Sequence, residues 1–166
     1  MSCLSKDNVR AYKDMLNNKH IQHMKEYKQH GDISTYDHSV NVLNVAYAWA
    51  KRYKFTDEQI HNIIVGAMLH DFYLYDWHTG RIRSDGIHGF IHPKKALKNA
   101  NKLFKLNAKQ KNIIKSHMFP MTLLSAPKCK EAWVVMMADK YCAIIEYWAI
   151  HVLRKKVKLR HLDLEV

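Results

Sequence analysis

The chain predicts an all-α fold, a single compact bundle of about six or seven helices, on three observations. Its 166 residues hold only five Gly and three Pro, too few for a turn-dense β architecture. Apolar residues recur at steps of three and four along most of the length, the period of a buried helical face. With 48% hydrophobic and 25% charged residues, the composition is that of an ordinary globule, and the length suits one domain that buries its own core.

A first helix is expected from about Lys6 to Gln29, with Val9, Tyr12, Leu16, Met24 and Tyr27 as a broken apolar stripe, ended by Gly31 and Asp32. On its Lys-rich side His20 and His23 have metal-gripping spacing, but solvated side chains are the norm on such a face. Ser34, Thr35 and Asp37 offer N-caps for a second helix of about Tyr36 to Tyr53, where His38 heads the stripe Val42, Val45, Ala46 and Trp49. Thr56 with Gln59 forms a capping box, so a third helix starts near Asp57. Its stripe of Ile60, Ile63, Ile64 and Ala67 reaches His70 and Asp71 one turn later.

Phe72 to Ile91 lacks periodicity, and an irregular stretch of that length usually forms a lid, a binding loop or a disordered tip. Tyr73, Tyr75 and Trp77 have the rings to stack on a base or to anchor the loop, and Arg81 and Arg83 the charge to touch phosphate. His92-Pro93 is expected to open a fourth helix, with Ala96, Ala100 and Leu103 on the stripe that His92 heads. Asn107 with Gln110 caps a fifth, in which Ile113 and Ile114 precede His117. A Pro-punctuated connection, 118–130, leads to the most apolar helix, about Glu131 to Ile150. There Asp139 shares a strip with Ala132, Val135, Met136, Cys142, Ala143 and Glu146, and a carboxylate so placed calls for a metal cation or an internal Lys or Arg. The run Arg154 to His161, RKKVKLRH, is a basic tail.

No run approaches the ~18 apolar residues that span a bilayer, and the start MSCLSKDNVRAYKD lacks the apolar middle of a signal peptide. A cytoplasmic protein with no membrane partner is expected. Cys3, Cys129 and Cys142 are odd in number and lack CxxC spacing, so they read as reduced thiols. The net charge of +12 favours anionic ligands: a phosphorylated small molecule first, nucleic acid less so.

One His-Asp pair is close to chance in a chain with 12 His. The weight lies in the set His38, His70, Asp71, His92, His117 and Asp139, polar residues that interrupt or end apolar faces on five helices. Imidazole and carboxylate suit Fe, Mn, Co, Ni or Zn, and a helical bundle gathers such ligands on inward faces.

In its order His38, His70-Asp71, Asp139, with Lys140 after the last acid, the sequence resembles the HD-domain metal-dependent phosphohydrolases, over roughly residues 34 to 148. His92 and His117 match the extra histidines of the two-metal branches, which include diadenosine tetraphosphate hydrolases and HD-GYP-type phosphodiesterases. His88-Gly89 offers a competing match, so His92 is taken as ligand and His88 as general acid or alternative ligand. The resemblance implies one or two divalent ions, Mg being admissible besides the transition metals. His38, His70, Asp71 and Asp139 would hold the first, and His92 and His117 the second, with Asp71 bridging. It also implies catalytic roles for Asp71, His88 and Lys140. Relatives often carry a phosphate-binding Lys three residues after the dyad; here Leu74 stands there, so either that task passes to Arg81, Arg83, Lys94 or Lys140, with Trp77 beside them, or the substrate differs. The GYP element is absent, which speaks against cyclic dinucleotides. The expected substrate is a nucleotide or small phosphorylated metabolite, and the expected state a monomer or homodimer. Alternatives are a nucleic-acid-binding or regulatory scaffold and a di-iron oxygenase.

Overall fold

The computed structural model describes residues 4–78 and 86–152. Among the described residues seven α-helices form the bundle: α1 Lys6–Asn17, α2 Lys19–Gln22, α3 Thr35–Arg52, α4 Asp57–Leu69, α5 His88–Leu103, α6 Ala108–Ser116 and α7 Lys130–His151. Three starts are fixed by reciprocal capping boxes, Ser34 with Asp37, Thr56 with Gln59 and Asn107 with Gln110.

Helix α4 is the hub, packed against α1, α3, α6 and α7. Ile63, Ile64, Ala67, Met68 and Leu69 are sealed from solvent, and each large side chain contributes about 1.5–3 kcal/mol by leaving water. Gly66 sets the close approach of α4 to α6, because a Cβ there would stand 2.7 Å from the Ile113 side chain. That approach brings His70 and His117, which follow the last residues of their helices, to ring centroids 5.0 Å apart.

The expected helix from Lys6 to Gln29 is not one element. Asn18 ends α1 in extended conformation while its side chain caps α2 by accepting from His20 N–H. A 3-10 turn, His23–Glu26, follows, and then strand β1 (Lys28–His30) pairs antiparallel with β2 (Ile33–Ser34) around Gly31, whose φ is +54°. A single asparagine that caps in both directions overrides a periodicity that runs through it. His23 pairs with Glu26 and Tyr27 at the surface, the solvated arrangement expected for that side.

The expected start of the fourth helix at His92 is also displaced. Helix α5 begins at His88, one turn earlier, with Pro93 inside it. Residues 79–85, including Arg81 and Arg83, and the tail from Arg154 to His161 lie outside the described residues. Among the described residues no helix is long and apolar enough to cross a membrane.

Candidate metal centre

Five helices deliver the polar set to one buried place. His38, on the second turn of α3, is fully buried; its Nε2 stands 3.0 Å from Asp139 Oδ1 of α7, and its Nδ1 2.8 Å from Glu146 Oε2, two turns further along α7 and a turn beyond Cys142. Asn41 Nδ2 donates to the other Glu146 oxygen at 2.7 Å. Burial pushes the His38 imidazole down, but the two carboxylates outweigh it and hold the ring well above the ordinary 6.5. Asp139 in turn is held down to about 2: burial raises it, and the contacts with His38 and His70 more than reverse that.

Asp71 occupies the middle. Its Oδ2 lies 3.4 Å from His70 Nε2 and accepts from Gln29 Nε2 at 2.9 Å; its Oδ1 lies 3.2 Å from His92 Nε2 and 3.4 Å from His117 Nε2. The nitrogens of His92 and His117 are 2.7 Å apart. Two groups of donor atoms result, each lying within 4.8 Å: His38, His70 and Asp71, and Asp71, His92 and His117. Asp71 belongs to both.

The other ring nitrogens decide what this arrangement can do. His70 Nδ1 contacts the carbonyl of Ala67 at 2.6 Å, His92 Nδ1 that of His88 at 2.9 Å, and His117 Nδ1 that of Ile114 at 2.8 Å. A carbonyl only accepts, so each Nδ1 carries a proton and each ring turns its Nε2 inward, as a lone pair wherever that atom carries no proton of its own. Lone pairs at 2.7 Å repel, as do lone pairs facing a carboxylate. His70 Nε2 and Asp71 Oδ1 are buried with no hydrogen-bond partner. A cation satisfies all of these atoms together, whereas one proton serves only a pair. The donor set therefore fits a divalent transition metal.

A cavity of about 590 Å3 opens over this floor. Asp71, His92, His117 and Asp139 face it, Met118, Pro120, Met121 and Ala143 give it an apolar wall, and Trp77, His88 and Lys140 line it together with Gln29, His30 and Gly89. Trp77 stacks on His88 at 4.8 Å, and His88 on His92 at 4.5 Å, so a row of rings runs from the wall to the floor. Burial, then the neighbouring His92, lowers the His88 imidazole to about 4, and Tyr75 Oη meets its Nδ1 at 3.0 Å. Lys140 Nζ donates to the His117 carbonyl at 2.8 Å, and its burial lowers its pKa.

Other expected site residues fall elsewhere. Lys94 lines a separate groove with Phe90, Lys115 and Leu123. Two residues beyond His92 on a helix it must point away from the His92 face, a consequence of 3.6-residue geometry. Tyr73 is an anchor, buried, with its hydroxyl donating to Gln29 Oε1 at 2.6 Å and meeting Thr35 Oγ1 at 3.1 Å. Asn99 of α5 donates to the carbonyls of Phe72 and Tyr73 and pins the turn after the dyad.

Gln29 and Glu146 are the contacts that sequence reasoning missed. Gln29 comes from β1, an element without a sequence signal, whereas Glu146 lies seven residues after Asp139 and so on the same face of α7. That spacing was the available clue.

A family model described as the HD domain matches residues 35–144, which takes in all six proposed ligands and excludes Gln29 and Glu146. No curated protein matches the chain.

Proposed function

Because this chain belongs to the HD-domain family, a superfamily of metal-dependent phosphohydrolases, we propose that it hydrolyses a phosphate ester or anhydride of a nucleotide or small phosphorylated metabolite at the His–Asp centre. One observation carries the proposal: three histidines with Nδ1 committed to backbone carbonyls aim their Nε2 atoms at the Asp71 carboxylate.

In this reading His38, His70, Asp71 and Asp139 hold one divalent ion and Asp71, His92 and His117 a second. Ions so held would acidify a bound water and offset the charge that builds on a phosphoryl group. The chain's own residues then have separable tasks. Glu146 fixes the His38 tautomer by accepting from Nδ1 and leaves Nε2 for the centre. Gln29 holds one Asp71 oxygen and, through Tyr73, ties β1 to the turn after α4. Lys140 brings the one Lys or Arg charge among the described residues of the cavity lining close to the place a phosphate would take. His88, neutral at pH 7, can accept a proton or donate an N–H hydrogen bond. The Met118, Pro120 and Met121 wall suits an apolar or aromatic portion of the substrate, and the volume is within the usual range for a small ligand.

The test is elemental analysis of the purified protein followed by a phosphate-release screen over nucleotides and phosphorylated metabolites with Mn, Fe, Co, Ni, Zn and Mg. One or two transition ions per chain and release abolished by His70→Ala and Asp71→Ala support the reading. Protein that takes up no metal, or release that survives both substitutions, removes it.

A further inference from the structure

Helix α7 is apolar on both sides. Its inner face carries Ala132, Val135, Ala138, Cys142 and the two site carboxylates, all buried. Its outer face is exposed: Met137 at 52%, Tyr141 at 49%, Ile144 at 67% and Trp148 at 53%. A helix hydrophobic all round is ordinarily a buried one. These four residues step by four, three and four, the spacing of a coiled-coil seam. Trp133, Ile145 and Val152 flank them, and Tyr141 packs edge-on against Trp49 of α3, so the apolar surface continues onto a second helix.

We propose that this face pairs with the same face of a second copy of the chain, the two α7 helices running antiparallel across a twofold axis between Tyr141 and Ile144. Three features favour a second copy. First, the seam is self-complementary under that operation: Met137 of each copy meets Trp148 of the other and Tyr141 meets Ile144, so each layer sets a ring against an aliphatic or thioether chain. Second, seven large apolar side chains of this one face stand between 43% and 67% exposed, a contiguous patch rather than the scattered single residues of an ordinary surface. Third, the chain carries a net charge of +12, and two copies repel unless they meet where charge is missing. Between Ala132 and Ile150 the only charged residues are Asp139 and Glu146, buried on the inner face, and Lys140, which turns to the His117 carbonyl. Depletion of charge at the centre is the compositional mark of an interface.

The 166-residue chain should sediment and scatter light at twice 19.6 kDa over a concentration series. Ile144→Glu, at a position too exposed to carry the fold, should weaken the dimer by at least about a hundredfold while the far-UV circular dichroism stays unchanged. Trp148→Glu should do the same. A mixture of Tyr141→Cys and Ile144→Cys chains should form a disulfide-linked heterodimer under mild oxidation. The proposal is overturned if the protein stays at 19.6 kDa throughout, or if both glutamate variants remain dimeric. A cross-link that forms only between like variants would overturn the antiparallel register.

Discussion

The two halves of the centre share Asp71 and differ in how their histidines are held. In the half built on α3 and α7, His38 lies between two carboxylates, Asp139 and Glu146, and Asn41 steadies the outer one. In the half built on α5 and α6, His92 and His117 have only backbone carbonyls behind them and face each other at 2.7 Å over one Asp71 oxygen. A carboxylate behind a ligand histidine makes its lone pair more basic than a carbonyl does, and the first half supplies more negative charge. The expectation is a tight first ion and a weaker, exchangeable second one.

Asp71→Asn should erase that distinction, because its carboxylate serves both halves. Both ions should be lost by elemental analysis and kcat/KM should fall by at least about a thousandfold. The isosteric amide keeps an oxygen for Gln29, so circular dichroism of the metal-free protein should be unchanged.

His117→Gln should instead split the halves. It removes one Nε2 from the second group alone, so one ion per chain should remain bound through chelator dialysis, with activity down by about a hundredfold or more. Loss of both ions together would show that the halves fill as one unit and would break the comparison.

Glu146→Gln addresses the first half through a residue that touches no metal. Affinity for the tighter ion should fall about 10- to 100-fold by competition with a chelator, and His117→Gln combined with it should leave no ion retained. The metal-free protein gives an independent readout of the same contact. The raised His38 imidazole contributes stability that is full below its unfolded value, 6.5, and is lost as pH climbs through the raised folded value. The lowered Glu146 and Asp139 carboxyls contribute stability that is present above their unfolded values, 4.5 and 3.8, and is lost as pH falls. The Tm difference between wild type and Glu146→Gln should therefore be widest between about pH 4.5 and 6.5 and narrow on both sides.

These same residues show what the sequence could and could not convey. Capping boxes at Ser34, Thr56 and Asn107 act within four residues, so α3, α4 and α6 were legible, and with them the positions of His38, His70 and His117. Helix α7 was legible from its apolar length, and Asp139 from the cost of a carboxylate on that face. The hairpin that brings Gln29 was hidden because a three-residue strand leaves no period, and Asn18 broke a helix whose stripe continued past it. The start of α5 at His88 was hidden by Pro93, which reads as a first-turn residue but stands inside the helix a turn later. Glu146 was visible as a strip residue, yet its partner lies 108 positions away, and only packing reveals that pairing.

Lys140 joins the two halves and should give the smallest effect. It follows Asp139, a residue of the first half, but its ammonium crosses to the carbonyl of His117 in the second. The carbonyl accepts from Lys140 on one side of the site while the His117 ring binds on the other, so losing the lysine leaves every proposed ligand atom in place. Lys140→Met keeps most of the side-chain volume and removes the charge. Metal content should stay at the wild-type value, and KM for a phosphorylated substrate should rise about tenfold with a smaller change in kcat, the mark of a lost ground-state contact to phosphate. A fall in bound metal would show instead that Lys140 supports His117 structurally, and the phosphate contact would then have to be sought on another element.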